Sequence, residues 1–171
     1  QARWLVKDYV FHLAGGVEKI FWLALPDGAP DTSDLLARNG GLITFGETKK
    51  LSYYTYKKTA EILSGSDWTN IQTIQDSGDV QIYRFIKNGD PVFVVWWDYF
   101  NDPTYIPGMA KQAVITDVQG SAAVLTEAVP IFASGEEVTD YNTAFRANIL
   151  MVKNGTVSLN LRETPVFVEI Q

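Results

Sequence analysis

The sequence predicts a mainly β fold, an antiparallel β-sandwich preceded by a helix–strand–helix unit. Three observations predict it. Apolar residues at helical spacing are confined to the stretch before Gly65, and about eight short strand-like runs follow with no helix among them. Asn88-Gly89 and Asn154-Gly155 each stand between two such runs, the dipeptide that tight hairpins favour because both residues tolerate positive φ. Val17 to Leu25 is almost continuously apolar, the pattern of a strand covered on both faces in a parallel sheet.

Over residues 2–14, Leu5, Val6, Tyr9, Val10 and Leu13 recur at helical spacing, with Arg3, Lys7 and Asp8 on the other side. Gly15-Gly16 supplies the left-handed stop that a helix end favours. The strand Val17–Leu25 follows at once. Pro26 to Lys50 is a long connection holding Pro26-Asp27-Gly28, Asn39-Gly40-Gly41 and Phe45-Gly46. Connections of that length are usually functional loops or disordered ones. Ser52 is placed to cap a second helix running to about Leu63, with Leu51, Tyr54, Ala60, Ile62 and Leu63 available for packing. Ser64-Gly65-Ser66 ends it, so residues 1–65 are read as one unit and 66–171 as another. A helix–strand–helix unit belongs to a larger parallel sheet, and no second unit follows. The chain is therefore expected to start partway through a domain. Its lone strand would present two unpaired edges, so an oligomer or a strand-pairing partner is expected of the isolated chain.

Strands are predicted at Ile71–Ile74, Val80–Ile86, Pro91–Trp97, Ala113–Asp117, Ala122–Ala128, Phe145–Val152, Val157–Leu161 and Pro165–Ile170. Hairpin turns at Lys87-Asn88-Gly89-Asp90 and Lys153-Asn154-Gly155-Thr156 connect two pairs of them. Short strands joined this way, with no helix between them, make an antiparallel sandwich.

Composition excludes several classes of function. A formal net charge of −6 argues against a protein that tracks nucleic-acid phosphates, which carries a basic face. No apolar run reaches about 18 residues, so no membrane span is expected. The absence of Cys removes disulfides and thiolate metal sites. The loop acids Glu47, Asp98, Asp102, Glu136, Glu137 and Asp140 lack the regular spacing of a calcium loop, and no metal or cofactor is expected. Those acids read as solvated carboxylates, and no pair of them lies in a motif that would make a general acid. His12, the sole histidine, falls within the first helix and is not read as a ligand or a base.

Gly16 to Asp27, taken with Gly41-Leu42, Lys50 and Ser52-Tyr53-Tyr54-Thr55-Tyr56-Lys57, resembles the end of a clan A glycoside hydrolase barrel. Tyr83-Arg84-Phe85, Asn88-Gly89-Asp90-Pro91-Val92 and Val95-Trp96 are similar to the hairpin that opens the accessory β-sandwich of such enzymes. Thr116-Asp117-Val118-Gln119-Gly120 and Pro165-Val166-Phe167-Val168-Glu169-Ile170 resemble a later turn and the final strand. The ordered set spans nearly the whole chain. It departs at Leu51, where the family usually has proline. The resemblance implies that residues 1–65 are strand eight and the flanking helices of a (β/α)8 barrel. An eight-stranded barrel needs about 200–250 residues and carries its site at the carboxyl ends of its strands. Retaining glycosidases set two carboxyls about 5–5.5 Å apart and inverting ones about 6.5–9.5 Å. In this clan they come from strands four and seven, so the resemblance implies that this chain contains no catalytic residue.

The resemblance also implies two substrate-binding candidates. Trp22 stands where the family commonly has an aromatic floor for the sugar beside the cleaved bond, since pyranose C–H groups pack on a π surface. The competing reading is barrel core facing the helices. Asp27 opens the following loop and either hydrogen-bonds sugar hydroxyls or merely supports a turn before Gly28. Trp96-Trp97-Asp98-Tyr99-Phe100, with Tyr105, is either a sugar-stacking surface or cement between the two units. Asn154-Gly155-Thr156 fits a glycosylation acceptor as well as a type I′ turn, and the turn accounts for all three residues. The expected function is that of a glycosidase fragment, inactive alone, with a carbohydrate substrate in the complete enzyme. The alternatives are a stand-alone carbohydrate-binding sandwich and a structural module that docks by edge pairing.

Overall fold

The computed structural model describes every residue from Gln1 to Gln171. Helices α1 (Ala2–Ala14), α2 (Leu35–Asn39) and α3 (Leu51–Leu63) precede eight strands. These are β1 (Gln72–Gln75), β2 (Val80–Lys87), β3 (Asp90–Trp97), β4 (Lys111–Ile115), β5 (Ala122–Glu127), β6 (Ala147–Met151), β7 (Val157–Leu161) and β8 (Val166–Ile170). Six strands form one sheet in the order β1-β2-β3-β8-β5-β6, and β4 pairs with β7 in a second. Every pairing is antiparallel. The fold is a β-sandwich preceded by helices.

Strand periodicity explains the layering, because successive side chains point to opposite faces. Val80 and Ile82 of β2, Phe93, Val95 and Trp97 of β3, and Val166 and Val168 of β8 point to the β4-β7 sheet. There they meet Ala113, Ile115, Val157, Leu159 and Leu161. The intervening residues Tyr83, Phe85, Val92, Val94, Trp96 and Phe167 point the other way and pack on Leu5, Val6 and Val10 of α1 and on Ile62 and Leu63 of α3. Strand β3 is thus covered on both faces, and its unbroken apolar run needs no parallel neighbour to explain it. Arg3 Nη1 donates to Glu163 Oε2 at 2.5 Å and the Tyr105 hydroxyl to Oε1, fastening α1 to the β7–β8 turn.

Three local expectations come out differently. Val17–Leu25 follows α1 where it should, but it pairs with no strand along its length. Phe21 and Leu23 are 85% and 88% exposed, and Ala24 takes a positive φ of 64°, which breaks the extended run. Backbone donors and acceptors need a partner strand to make a ladder, and this segment has none beside it. Only at its end does Pro26 form a parallel bridge with Ile43.

Asn88-Gly89 makes the expected hairpin, with β2 and β3 in register from Val80–Trp97 to Lys87–Asp90. Asn154-Gly155 adopts the same turn, with φ of 51° and 72°, but closes one bridge, Lys153–Thr156. The chain then crosses between sheets, because Val157, Leu159 and Leu161 are needed on the inner face of the sandwich.

Ser52 does not cap α3. The cap position is Lys50, and Ser52, buried in the first turn, donates its hydroxyl to Gln1 Oε1 at 2.8 Å.

Candidate functional site

The Pro26–Lys50 connection is ordered by short local elements. Asp34 caps α2, accepting from the backbone N–H groups of Leu36 and Ala37 at 2.9 and 3.2 Å. The chain then returns through Asn39-Gly40-Gly41, where Leu42 and Ile43 donate to the Leu25 carbonyl and Asp27 donates to that of Ile43. Gly41 passes so close to Pro26 and Asp27 that a Cβ would lie 2.4 Å from their backbone atoms. Only glycine permits this approach.

Both predicted site residues meet at that crossing. The Trp22 indole Nε1 donates to the Gly40 carbonyl at 2.8 Å, and its ring stacks on Tyr9 with centroids 6.3 Å apart. Asp27 Oδ1 accepts from the Gly41 N–H at 2.9 Å and from Lys50 Nζ at 2.6 Å. Lys50 also donates to the Asn39 carbonyl at 3.0 Å, and Gln1 Nε2 donates to the carbonyls of Gly40 and Gly41 at 2.9 and 3.0 Å. Four side chains from four segments thus converge on three consecutive peptide units. The bonds made by Lys50 and Asp27 are charge-assisted, a kind stronger than neutral bonds such as those that Trp22 and Gln1 make. The arrangement fixes the loop that follows Val17–Leu25. It leaves the Trp22 ring partly open and Asp27 Oδ2 without a protein donor.

The other candidates separate by environment. His12 Nδ1 lies 2.8 Å from the Asp8 carbonyl on the exposed side of α1. Asp98 and Asp140 hold turns, accepting from Asn101 Nδ2 at 2.7 Å and from the Asn142 N–H at 2.9 Å. Asp102 differs from the solvated carboxylate the sequence suggests. It is buried beneath Trp97, accepting the indole N–H at 3.1 Å and Lys111 Nζ at 3.0 Å. The Thr104 hydroxyl and amide add two more bonds, and together with Lys111 they hold the Asp102 carboxyl well below the usual aspartate range. In the aromatic run, Trp96, Trp97 and Tyr99 are buried, and Phe100 alone faces outward to stack on Trp4. No three His, Asp or Glu side chains gather closely enough to hold a metal ion. No helix is long and apolar enough to cross a membrane.

Comparison with solved structures gives this architecture its context. A family 39 glycoside hydrolase from the gut symbiont Bacteroides cellulosilyticus WH2 superimposes on all of the chain with a TM-score of 0.67 at 20% identity. A 4-O-α-L-rhamnosyl-β-D-glucuronidase from Fusarium oxysporum 12S matches 72% of it with a TM-score of 0.51 at 12% identity. The chain spans 30% of the length of each of these structures. It has the fold of a part of these glycoside hydrolases. No family model and no curated protein sequence matches it.

Proposed function

We propose that this chain is the C-terminal part of a glycoside hydrolase, in which Val17–Leu25 is the last strand of a (β/α)8 barrel and the sandwich is the accessory domain. One observation carries the reading. An apolar run between two helices leaves Phe21 and Leu23 almost wholly wet, although burial of such a side chain is worth about 1.5–3 kcal/mol. Neighbouring strands would cover these side chains and engage the free backbone. The likeness to part of two glycoside hydrolases, each matched over 30% of its length, supports the same reading. In it, the carboxyl pair that cleaves the glycosidic bond comes from polypeptide outside these residues. Trp22 contributes a surface for a pyranose ring, and Asp27 Oδ2 accepts from a sugar hydroxyl while Oδ1 holds the loop.

The test compares the 171-residue chain with the uninterrupted open reading frame that contains it, on a panel of aryl glycosides. Hydrolysis by the longer protein, and none by the shorter, is expected. In the longer protein Trp22→Ala should lower kcat/KM by about tenfold or more, the loss of roughly 1.4 kcal/mol of transition-state contact. Turnover by the shorter chain alone would overturn the reading. Sedimentation gives a second check, since the unpaired Val17–Leu25 edges should drive association of the isolated chain. A monomer that persists on concentration would count against them as strand edges.

A further inference from the structure

On the side of α1 away from Trp22, the helix and the neighbouring ends of β2 and β3 line an open cleft of about 390 Å³, within the size range of small-molecule sites. Its distinctive group is Lys7. The sequence places this lysine on the polar side of the helix, yet it is 6% exposed and makes no hydrogen bond or ion pair within the protein. Its ammonium lies 5.3 Å from the Trp4 ring centroid and 5.2 Å from that of Tyr99. Aromatic faces can support a cation in this way, but they satisfy none of its three N–H donors. Burial pulls the Lys7 pKa down, and the charge of Asp98 opposes the fall.

The rest of the lining limits what those donors can meet. Trp4 and Phe11, 54% and 61% exposed, form one wall. Asp76 and Gln81 also line it, and Asp76 is in no ion pair. Asp8 and Asp98 add two carboxylates, the first 3.4 Å from His12 and the second bonded to Asn101. An anion would face three carboxylates, and a cation would face Lys7. A neutral molecule with adjacent hydroxyls meets neither obstacle, because each hydroxyl can accept from the ammonium and donate to a carboxylate. Ring C–H groups suit the aromatic wall.

We propose that this cleft binds a neutral pyranose unit of an oligosaccharide, at a site separate from Trp22 and Asp27. The site is built from α1, the ends of β2 and β3 and the turns beside them, and it shares no residue with the Trp22–Asp27 region.

The test titrates the ¹⁵N-labelled 171-residue chain with cellotetraose, mannotetraose, glucuronate and spermidine, following the indole and backbone N–H signals by NMR. Saturable shifts at Trp4, Lys7 and Phe11 with at least one neutral tetrasaccharide are expected, with the Trp22 indole unmoved. Phe11 and Asp76 are surface residues, so Phe11→Ala and Asp76→Asn should leave the circular dichroism spectrum unchanged. Each should weaken binding about fivefold to tenfold, the range of one aromatic contact or one charged hydrogen bond. Failure of both tetrasaccharides to bind, or shifts confined to Trp22, would overturn the proposal. So would tighter binding of glucuronate or spermidine, or affinity unaffected by both substitutions.

Discussion

Lys50 Nζ lies 2.6 Å from Asp27 Oδ1, and this ion pair ties together the two ends of the Pro26–Lys50 connection. The carboxylate is mostly shielded, with a side-chain exposure of 10%, so the pair is less screened than a surface contact. The same oxygen accepts from the Gly41 N–H, and one side chain therefore sets both the end of the loop and its midpoint.

Removing that carboxylate should loosen the loop. Asp27→Ala leaves the Gly41 N–H without its acceptor and the Lys50 ammonium with the Asn39 carbonyl alone, at a cost of about 1.5–3 kcal/mol for bonds to a charged group. Urea unfolding should show a lower midpoint, and amide exchange should quicken around Gly41 before it does in β3. A double-mutant cycle with Lys50→Met isolates the pair itself. No change in either measurement would mean that Gln1 and Trp22 hold the loop unaided.

The strands were legible because alternation is a local property that follows from side-chain geometry. Val157-Ser158-Leu159-Asn160-Leu161 announces which face is buried, and the structure buries Val157, Leu159 and Leu161 while Ser158 and Asn160 stay exposed. Partner choice was less legible. Asn154-Gly155 specifies a turn conformation and nothing about which sheet the next strand joins. Ser52 and Asp102 failed for a related reason. Each has its partner in another element, Gln1 for the serine and Trp97 and Lys111 for the aspartate, and no spacing rule records such contacts. Trp22 and Asp27 were legible as a candidate pair through the family-like motif. Their convergence on Gly40-Gly41 needed coordinates. Lys7 reads as an outer-face lysine until Trp4 and Tyr99 close over it.

Asp102 predicts a specific acid sensitivity. Its carboxyl titrates lower in the folded protein than the ordinary aspartate value of about 3.9, because Thr104 and then Lys111 donate to its charged form. A depressed folded pKa gives stability that is fully present above the unfolded value and is lost as pH falls toward the folded one. Urea midpoints of the parent chain should therefore drop below about pH 4, and Asp102→Asn should flatten that limb. Parallel acid limbs would show that other carboxylates govern the transition.

Gly135 predicts a steric effect. It opens the 3₁₀ turn Gly135–Glu137, and a Cβ on it would lie 1.9 Å from the Lys49 carbonyl oxygen and 2.7 Å from the Lys50 carbonyl carbon. Both contacts are backbone, so no rotamer change relieves them. Gly135→Ala must push this sandwich loop away from the start of α3. Overpacking of well-fitted sites costs about 1–3 kcal/mol. The thermal midpoint should fall, with amide shifts concentrated at Lys49, Lys50 and Ser52. An unshifted melting curve would show that the loop is free to move aside.

The two faces of the large sheet depend differently on the helices. All sixteen residues of the core between the sheets lie from Val80 to Val168, so residues 67–171 keep that core intact when residues 1–66 are removed. The outer face behaves differently. Tyr83, Phe85, Val94, Trp96 and Phe167 are covered by α1 and α3, and the shortened chain would hand them to water. Each such side chain forfeits about 1.5–3 kcal/mol of burial, and contiguous apolar patches of several hundred Å² are rare on monomers. Residues 67–171 should therefore fold cooperatively yet bind a hydrophobic dye and self-associate, with Trp96 fluorescence shifted toward that of a wet indole. An unfolded product would mean that the helices are required for the sandwich itself. A soluble monomer that binds no dye would mean that the outer face has another way to cover itself, and that α1 and α3 are dispensable to it.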